Sequence, residues 1–273
     1  MAFARNGDVE LYYDTFGNPS DPALLLVNGL GSQCINFAEP WCEKFRAEGF
    51  FVIRFDNRDV GLSTKVAVPY TVSDMARDAI AVLDAAGVAQ AHVMGLSMGG
   101  MIVQTLAIEH PDRLLSMTSM MSTTGDTDVG QPTPEARSLS LAAPPTDRES
   151  YVARYVEGIR TWGSPAFFDE DRLRASAAAA FDRCFQPDGQ ARQARAIFSG
   201  SSRTAALGDV RVPALVVHGS EDNLIDASGG RRTAEAIPGA RFVLIDGMGH
   251  DYPPQLWDQI VQLVAAFALN GGQ

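Results

Sequence analysis

The stretch Ala91-His92-Val93-Met94-Gly95-Leu96-Ser97-Met98-Gly99-Gly100 decides how the rest of the chain is read. Its first four residues form a short apolar run, as expected of a strand buried on both faces of a parallel sheet. From Met98 to Glu109 the pattern is helical, and the helix ends before Pro111. Between strand and helix lies Gly-x-Ser-x-Gly, with Ser97 at its centre. A serine on so sharp a turn needs small neighbours two residues away, which Gly95 and Gly99 supply. The helix N-terminus beneath it favours negative charge developing there. The competing reading is a glycine-rich turn with an incidental serine. That reading does not call for a strand before the turn and a helix after it, and so Ser97 is the candidate nucleophile.

Strands and helices alternate outward from this point. Strands are expected at Val9–Thr15, Ala23–Val27, Phe50–Phe55, Leu114–Met121, Ala214–Val217 and Arg241–Ile245. Helices are expected at 38–48, 71–86, 228–237 and 254–269. Such alternation builds βαβ units and a mainly parallel sheet flanked by helices, an α/β fold. Residues 124–206 break the rhythm: they open with Gly125, Gly130, Pro132 and Pro134, and from Arg148 they turn Arg- and Ala-rich and helical. The expected organisation is one α/β core, residues 1–123 and 207–273, with a helical cap inserted at 124–206.

A serine hydroxyl is a weak nucleophile and needs a neighbouring base. Of the four histidines, His92 starts the strand before Ser97 and belongs at the far end of the sheet. His110 sits at the helix end beside Pro111, and His218 closes a strand as a packing or hydrogen-bonding residue. His250 follows the last strand in Gly247-Met248-Gly249-His250, and only it leaves room for the chain order serine, acid, histidine. The acid that must hold the imidazole is then Asp222, just after a strand in His218-Gly219-Ser220-Glu221-Asp222, with Glu221 and Asp226 nearby. Asp126 or Asp128, after the preceding strand, is the alternative. Two N–H donors are needed for a developing oxyanion. Met98, after the nucleophile, supplies one, and Leu30 in Asn28-Gly29-Leu30-Gly31 supplies the other.

Hydrophobic residues make up 46% of the 273 residues, enough for a substantial core. A net charge of -11 argues against nucleic acid or an anionic membrane as partner. Three cysteines, Cys34, Cys42 and Cys184, fit neither a disulfide framework nor a zinc motif, and they are expected to be reduced. Met1 to Glu10 lacks the apolar stretch of a signal peptide, and no run reaches the length of a membrane span, so a cytoplasmic protein is expected.

Taken with Asp222, His250, the loop at Leu30 and the cap, the Ser97 turn resembles the α/β-hydrolase superfamily. Arg54-Phe55-Asp56-Asn57-Arg58-Asp59-Val60-Gly61-Leu62-Ser63 looks like the family's loop after the strand beside the oxyanion strand. Together with Gly-Leu-Ser-Met-Gly-Gly and Gly-Met-Gly-His it is most similar to actinobacterial carboxylesterases and aclacinomycin methylesterases. The resemblance implies hydrolysis of a small-molecule carboxylic ester through an acyl-enzyme, with no metal and no organic cofactor. Many relatives have His-Gly where this chain has Asn28-Gly29. Asp56, Arg58 and Asp59 read as a structural charge network. The expected cap carries Trp162, Phe167, Phe168, Phe181, Phe185 and Phe198. Most buried aromatics serve packing, but Trp162, Phe167, Phe168 and Phe198 are candidates for an apolar substrate pocket between cap and core. Carbon–carbon bond hydrolysis, peracid formation and a ligand receptor are other uses of the same triad and fold. Dehalogenases and epoxide hydrolases carry Asp where this chain has Ser97. Oligomeric state is not legible in the sequence.

Overall fold

The computed structural model describes residues 2–271. Eight strands form one sheet: β1 (Ala2–Asn6), β2 (Val9–Phe16), β3 (Ala23–Val27), β4 (Phe51–Phe55), β5 (Ala91–Leu96), β6 (Leu114–Met120), β7 (Ala214–Gly219) and β8 (Arg241–Ile245). Their order is β1-β2-β4-β3-β5-β6-β7-β8. The β1–β2 and β2–β4 pairs are antiparallel, and every pair from β4 to β8 is parallel. β1 is absent from the sequence expectation because only one of its five residues, Ala4, is fully buried, which leaves no apolar run to read.

The helices are α1 (Glu39–Ala47), α2 (Val72–Ala85), α3 (Met98–Glu109), α4 (Pro134–Ser140), α5 (Arg148–Trp162), α6 (Glu170–Arg183), α7 (Pro187–Phe198), α8 (Thr204–Leu207), α9 (Ala227–Ala236) and α10 (Trp257–Leu269). Side chains alternate across a strand, and β3 shows the result. Leu25 and Val27 pack with Met75, Val82, Ile102 and Leu106 of α2 and α3, whereas Leu24 and Leu26 join Trp41, Phe45, Ile260 and Phe267 of α1 and α10. Both faces of the parallel strands are therefore covered, which is why their sequences read as unbroken apolar runs.

Between β6 and β7 the chain forms only helices, α4 to α8. Helix α4 begins ahead of Arg148, where the sequence pattern starts to look helical, because Thr133 caps it by accepting from Ala136 N–H at 3.3 Å. Tyr151 of α5 packs on Phe181 and Phe185 at ring separations of 5.7 and 5.9 Å, so two of the expected cap aromatics form that segment's own core.

This helical segment is fastened to the loops after β3 and β4. Gln33 Nε2 donates to Ala180 O at 2.7 Å and to Cys184 O at 2.9 Å. Arg183 and Arg192 pair with the fully buried Asp56 and Asp59, each at 2.8 Å. Arg58 forks onto Asp78 at 2.5 and 2.7 Å, with both side chains nearly free of solvent. Asp56, Arg58 and Asp59 thus form a charge network that ties α2, α6 and α7 to one loop.

Removing one partner of a buried ion pair leaves the other charge uncompensated. Asp78→Ala is expected to lower unfolding free energy by about 3–5 kcal/mol in urea titrations. An apolar pair at positions 58 and 78 is expected to lose much less.

Candidate active site

Ser97 lies between β5 and α3 with φ 55° and ψ −117°, a conformation that side-chain-bearing residues rarely adopt. It is held from the β6 side: Ser97 N–H donates to Met120 O at 2.9 Å, and Ser122 Oγ donates to Ser97 O at 2.7 Å. A Cβ on Gly95 would stand 2.0 Å from Gly99 O, and one on Gly99 would stand 2.0 Å from Val27 O. Only glycine fits at either position.

The β3–β5 pairing in register Val27↔Gly95 brings the loop after β3 against this turn. A Cβ at Gly29 would lie 3.3 Å from Ser97 Cβ. Gly29 N–H donates to Asn28 Oδ1 at 3.3 Å, and Gly31 N–H donates to Gln193 Oε1 of α7 at 2.8 Å. Among the described residues, the N–H of Leu30 between them has no acceptor. Asn28 Nδ2 also donates to Gln33 O at 2.7 Å, so this side chain closes the loop on itself. Met98 opens α3, where first-turn N–H groups have no partner inside the helix.

β5, β7 and β8 run parallel, so the residues that follow them emerge at one edge of the sheet. Ser97, Asp222 and His250 all lie there. Asp222 Oδ2 is 2.7 Å from His250 Nδ1, while Oδ1 accepts from Leu224 N–H at 3.0 Å and Ile225 N–H at 2.9 Å. With Nδ1–H donating to the carboxylate, the Nε2 lone pair of His250 is left to act as a base.

His218 also faces Asp222. Its Nε2 lies 3.3 Å from Asp222 Oδ2 and 2.7 Å from Ile225 O, whereas its buried Nδ1 has no partner among the described residues. Two acceptors at Nε2 and none at Nδ1 place the proton on Nε2. Asp222 is 5% exposed. Burial pushes its carboxyl up, but the charge of His250 and the hydrogen bonds from His218 and His250 outweigh it and lower the pKa to about 2.

The histidine loop is braced by the end of α5. His250 N–H donates to Trp162 O at 2.6 Å, and Gly249 N–H donates to Ser164 Oγ at 2.9 Å. Ser164 Oγ in turn donates to Asp251 Oδ1 at 2.5 Å. Sequence patterns do not disclose Ser164, Gln193 or Ser122, because each acts through contacts with residues remote in the chain.

The alternative acids are bonded elsewhere. Asp126 is bound by Arg232 at 2.6 Å, by Thr204 Oγ1 at 2.7 Å and by Ser202, and Asp128 joins Arg232 at 3.0 Å. Glu221 is exposed, and Asp226 caps α9 through Ser228 N–H at 2.9 Å. His92 bonds Ser116 Oγ at 2.8 Å, and His110 ends α3.

Phe198 does not line a pocket. It is 84% exposed on the last turn of α7, whose inward face is carried by Gln193, Ala196 and Ile197. Phe167 packs against the α1–α10 core, and Phe168 lies under the Arg160 guanidinium at 4.4 Å. Of the four pocket candidates, Trp162 alone is bonded to the histidine loop, through its carbonyl.

The sequence matches the profile of the α/β hydrolase fold over residues 22–253. It is 32% identical to the rhodomycin D methylesterase DnrP of Streptomyces peucetius, covering 96% of this chain and 95% of that one. It is 26% identical to a 3-oxoadipate enol-lactonase of Acinetobacter baylyi, covering 94% and 93%. The crystal structure of an enol-lactonase from Burkholderia xenovorans superposes with a TM-score of 0.81 at 26% identity, covering 98% of this chain and all of that one. The chain belongs to the α/β-hydrolase fold family.

Proposed function

We propose that the chain hydrolyses carboxylic esters through an acyl-enzyme on Ser97. The observation that carries this reading is the Asp222–His250 pair, 2.7 Å apart, at the same sheet edge as the strained Ser97. His250 Nε2 takes the hydroxyl proton as Ser97 Oγ attacks the ester carbonyl. The N–H groups of Leu30 and Met98 receive the oxyanion. The tetrahedral intermediate then collapses, and the alcohol leaves with the proton from His250. A water activated by the same imidazole hydrolyses the acyl-enzyme. Asp222, held charged, stabilises the imidazolium formed in each half-reaction.

The named activities of the methylesterase and enol-lactonase relatives both break a carboxylic ester, open-chain in one and cyclic in the other, which favours ester over carbon–carbon cleavage. Helical residues 124–206 act as the cap over this site. Apolar or aromatic esters of moderate size are favoured over charged ones.

Two measurements test this reading. On p-nitrophenyl esters of graded acyl length, Ser97→Ala is expected to lose about ten-thousandfold or more in kcat; full turnover in the variant would sink the proposal. Asp222 has a folded-state pKa near 2, below its unfolded value of about 4. Its charge therefore stabilises the fold above about pH 4, and that contribution disappears as pH falls through 2. The stability gap between wild type and Asp222→Asn is expected to be widest near neutrality and to shrink steadily below pH 4.

A further inference from the structure

We propose that Gln193, in the middle of α7, is a positioning residue for the oxyanion loop, so that the helical segment supplies part of the hydrolytic geometry. The inference rests on the Ser97 reading above. Gln193 is fully buried, and both ends of its amide are used. Oε1 accepts from Gly31 N–H at 2.8 Å, and Nε2 donates to Arg58 O at 2.8 Å. A buried amide is costly unless bonded, so this side chain has one stable orientation.

The bond to Gly31 fixes the Leu30–Gly31 peptide, the middle one of a turn that Ser32 N–H closes on Gly29 O at 3.2 Å. Gly31 has φ +70°, a region in which glycine moves freely. On one side of the Gly29–Leu30 peptide, Asn28 Oδ1 takes the Gly29 N–H; on the other, Gln193 Oε1 takes the Gly31 N–H. The Leu30 N–H between these two anchors is the one left over for a ligand. Remove the Gln193 acceptor, and the Leu30–Gly31 peptide loses its anchor; the neighbouring Gly29–Leu30 peptide, which carries the Leu30 N–H, is then held only by Ser32 N–H on Gly29 O at 3.2 Å and by Asn28, and its aim loosens.

The anchor is also stiff. A Cβ on Gly189, one turn earlier in α7, would stand 2.1 Å from Asp59 O, and Arg192 pairs with Asp59 at 2.8 Å. Helix α7 therefore cannot slide to compensate for a change at position 193.

The test compares Gln193→Met, which keeps the shape but has no acceptor, with Gln193→Glu, which keeps an acceptor for Gly31 and loses the donor to Arg58 O. Thermal unfolding is followed beside ester hydrolysis and beside phosphonylation of Ser97 by a p-nitrophenyl alkylphosphonate, whose phosphoryl oxygen enters the same hole. In Gln193→Met, kcat is expected to fall about tenfold or more with KM changed less than about twofold, because a misaimed oxyanion donor weakens the transition state and not the ground state. Phosphonylation is expected to slow by a similar factor. Gln193→Glu is expected to lose stability like the Met variant but to retain more of kcat. An unchanged kcat in Gln193→Met overturns the proposal, as does a kcat loss that follows stability equally in both variants. If Gln193→Met does not fold, Gln193→Glu is judged alone: a kcat loss as large as tenfold with its acceptor intact overturns the proposal, and a smaller one supports it. Activity that survives Ser97→Ala would instead overturn the ester-hydrolysis reading itself.

Discussion

Backbone segments from β3, β5 and α3 meet at Ser97 more closely than any side chain permits. Hypothetical Cβ atoms at Gly95 and Gly99 would stand 2.0 Å from main-chain oxygens, and one at Gly100 would stand 2.4 Å from Ser122 Cβ. This approach puts α3 directly onto the end of β3 and forces Ser97 to φ 55°. Such a conformation costs about 1–3 kcal/mol and persists only because its surroundings leave no alternative. Here the restraint comes through Met120 and Ser122. The same crowding brings Gly29 beside Ser97, so the Ser97 turn and the loop after β3 share one constraint.

The second requirement is a charge kept out of water. Burying a carboxylate costs several kcal/mol unless attraction and hydrogen bonds return it. Asp222 achieves this by saturating its oxygens. Two amide N–H groups lie on Oδ1, and two imidazoles lie on Oδ2. His218 meets it through Nε2, which also lies 2.7 Å from Ile225 O. The charge of His250, with the hydrogen bonds from His218 and His250, outweighs burial and leaves a residue nearly sealed from solvent with a lowered pKa. His250 is then held at two points, its imidazole Nδ1 by Asp222 and its main-chain N–H by Trp162 O.

What was legible in the sequence follows from the range of each interaction. The turn at Ser97 could be read because its glycines, strand and helix are contiguous. Asp222 and His250 could be placed because parallel strands send successive loops to one edge, so chain order stands in for spatial order. Asp126 competed on those terms, and its bonds to Thr204 and Arg232, 78 and 106 residues away, leave no local pattern. Gln33 meeting Ala180, and Gln193 meeting Gly31 across 162 residues, leave no periodicity or spacing to detect. Phe198 misled for a related reason: an aromatic in a helical pattern discloses its face only when the partner surface is known. Asn28 has a physical account in the structure. Its amide closes the loop by accepting from Gly29 and donating to Gln33.

The anchorage of residues 124–206 bears on how substrate reaches the serine. Swinging α6 and α7 away as one body would break the Asp56–Arg183 and Asp59–Arg192 pairs and the Gln33 bonds to Ala180 and Cys184. It would also expose Asp56 and Asp59 without their cations, and each such buried pair costs several kcal/mol to break by removing one partner. The stretch from Arg137 to Glu149, around the end of α4, is mostly exposed, with Leu141 80% accessible. Segments with few buried apolar contacts open at the least cost. The stretch around α4 is therefore the part of 124–206 that opens at least cost, while α6 and α7 are docked on the loops after β3 and β4.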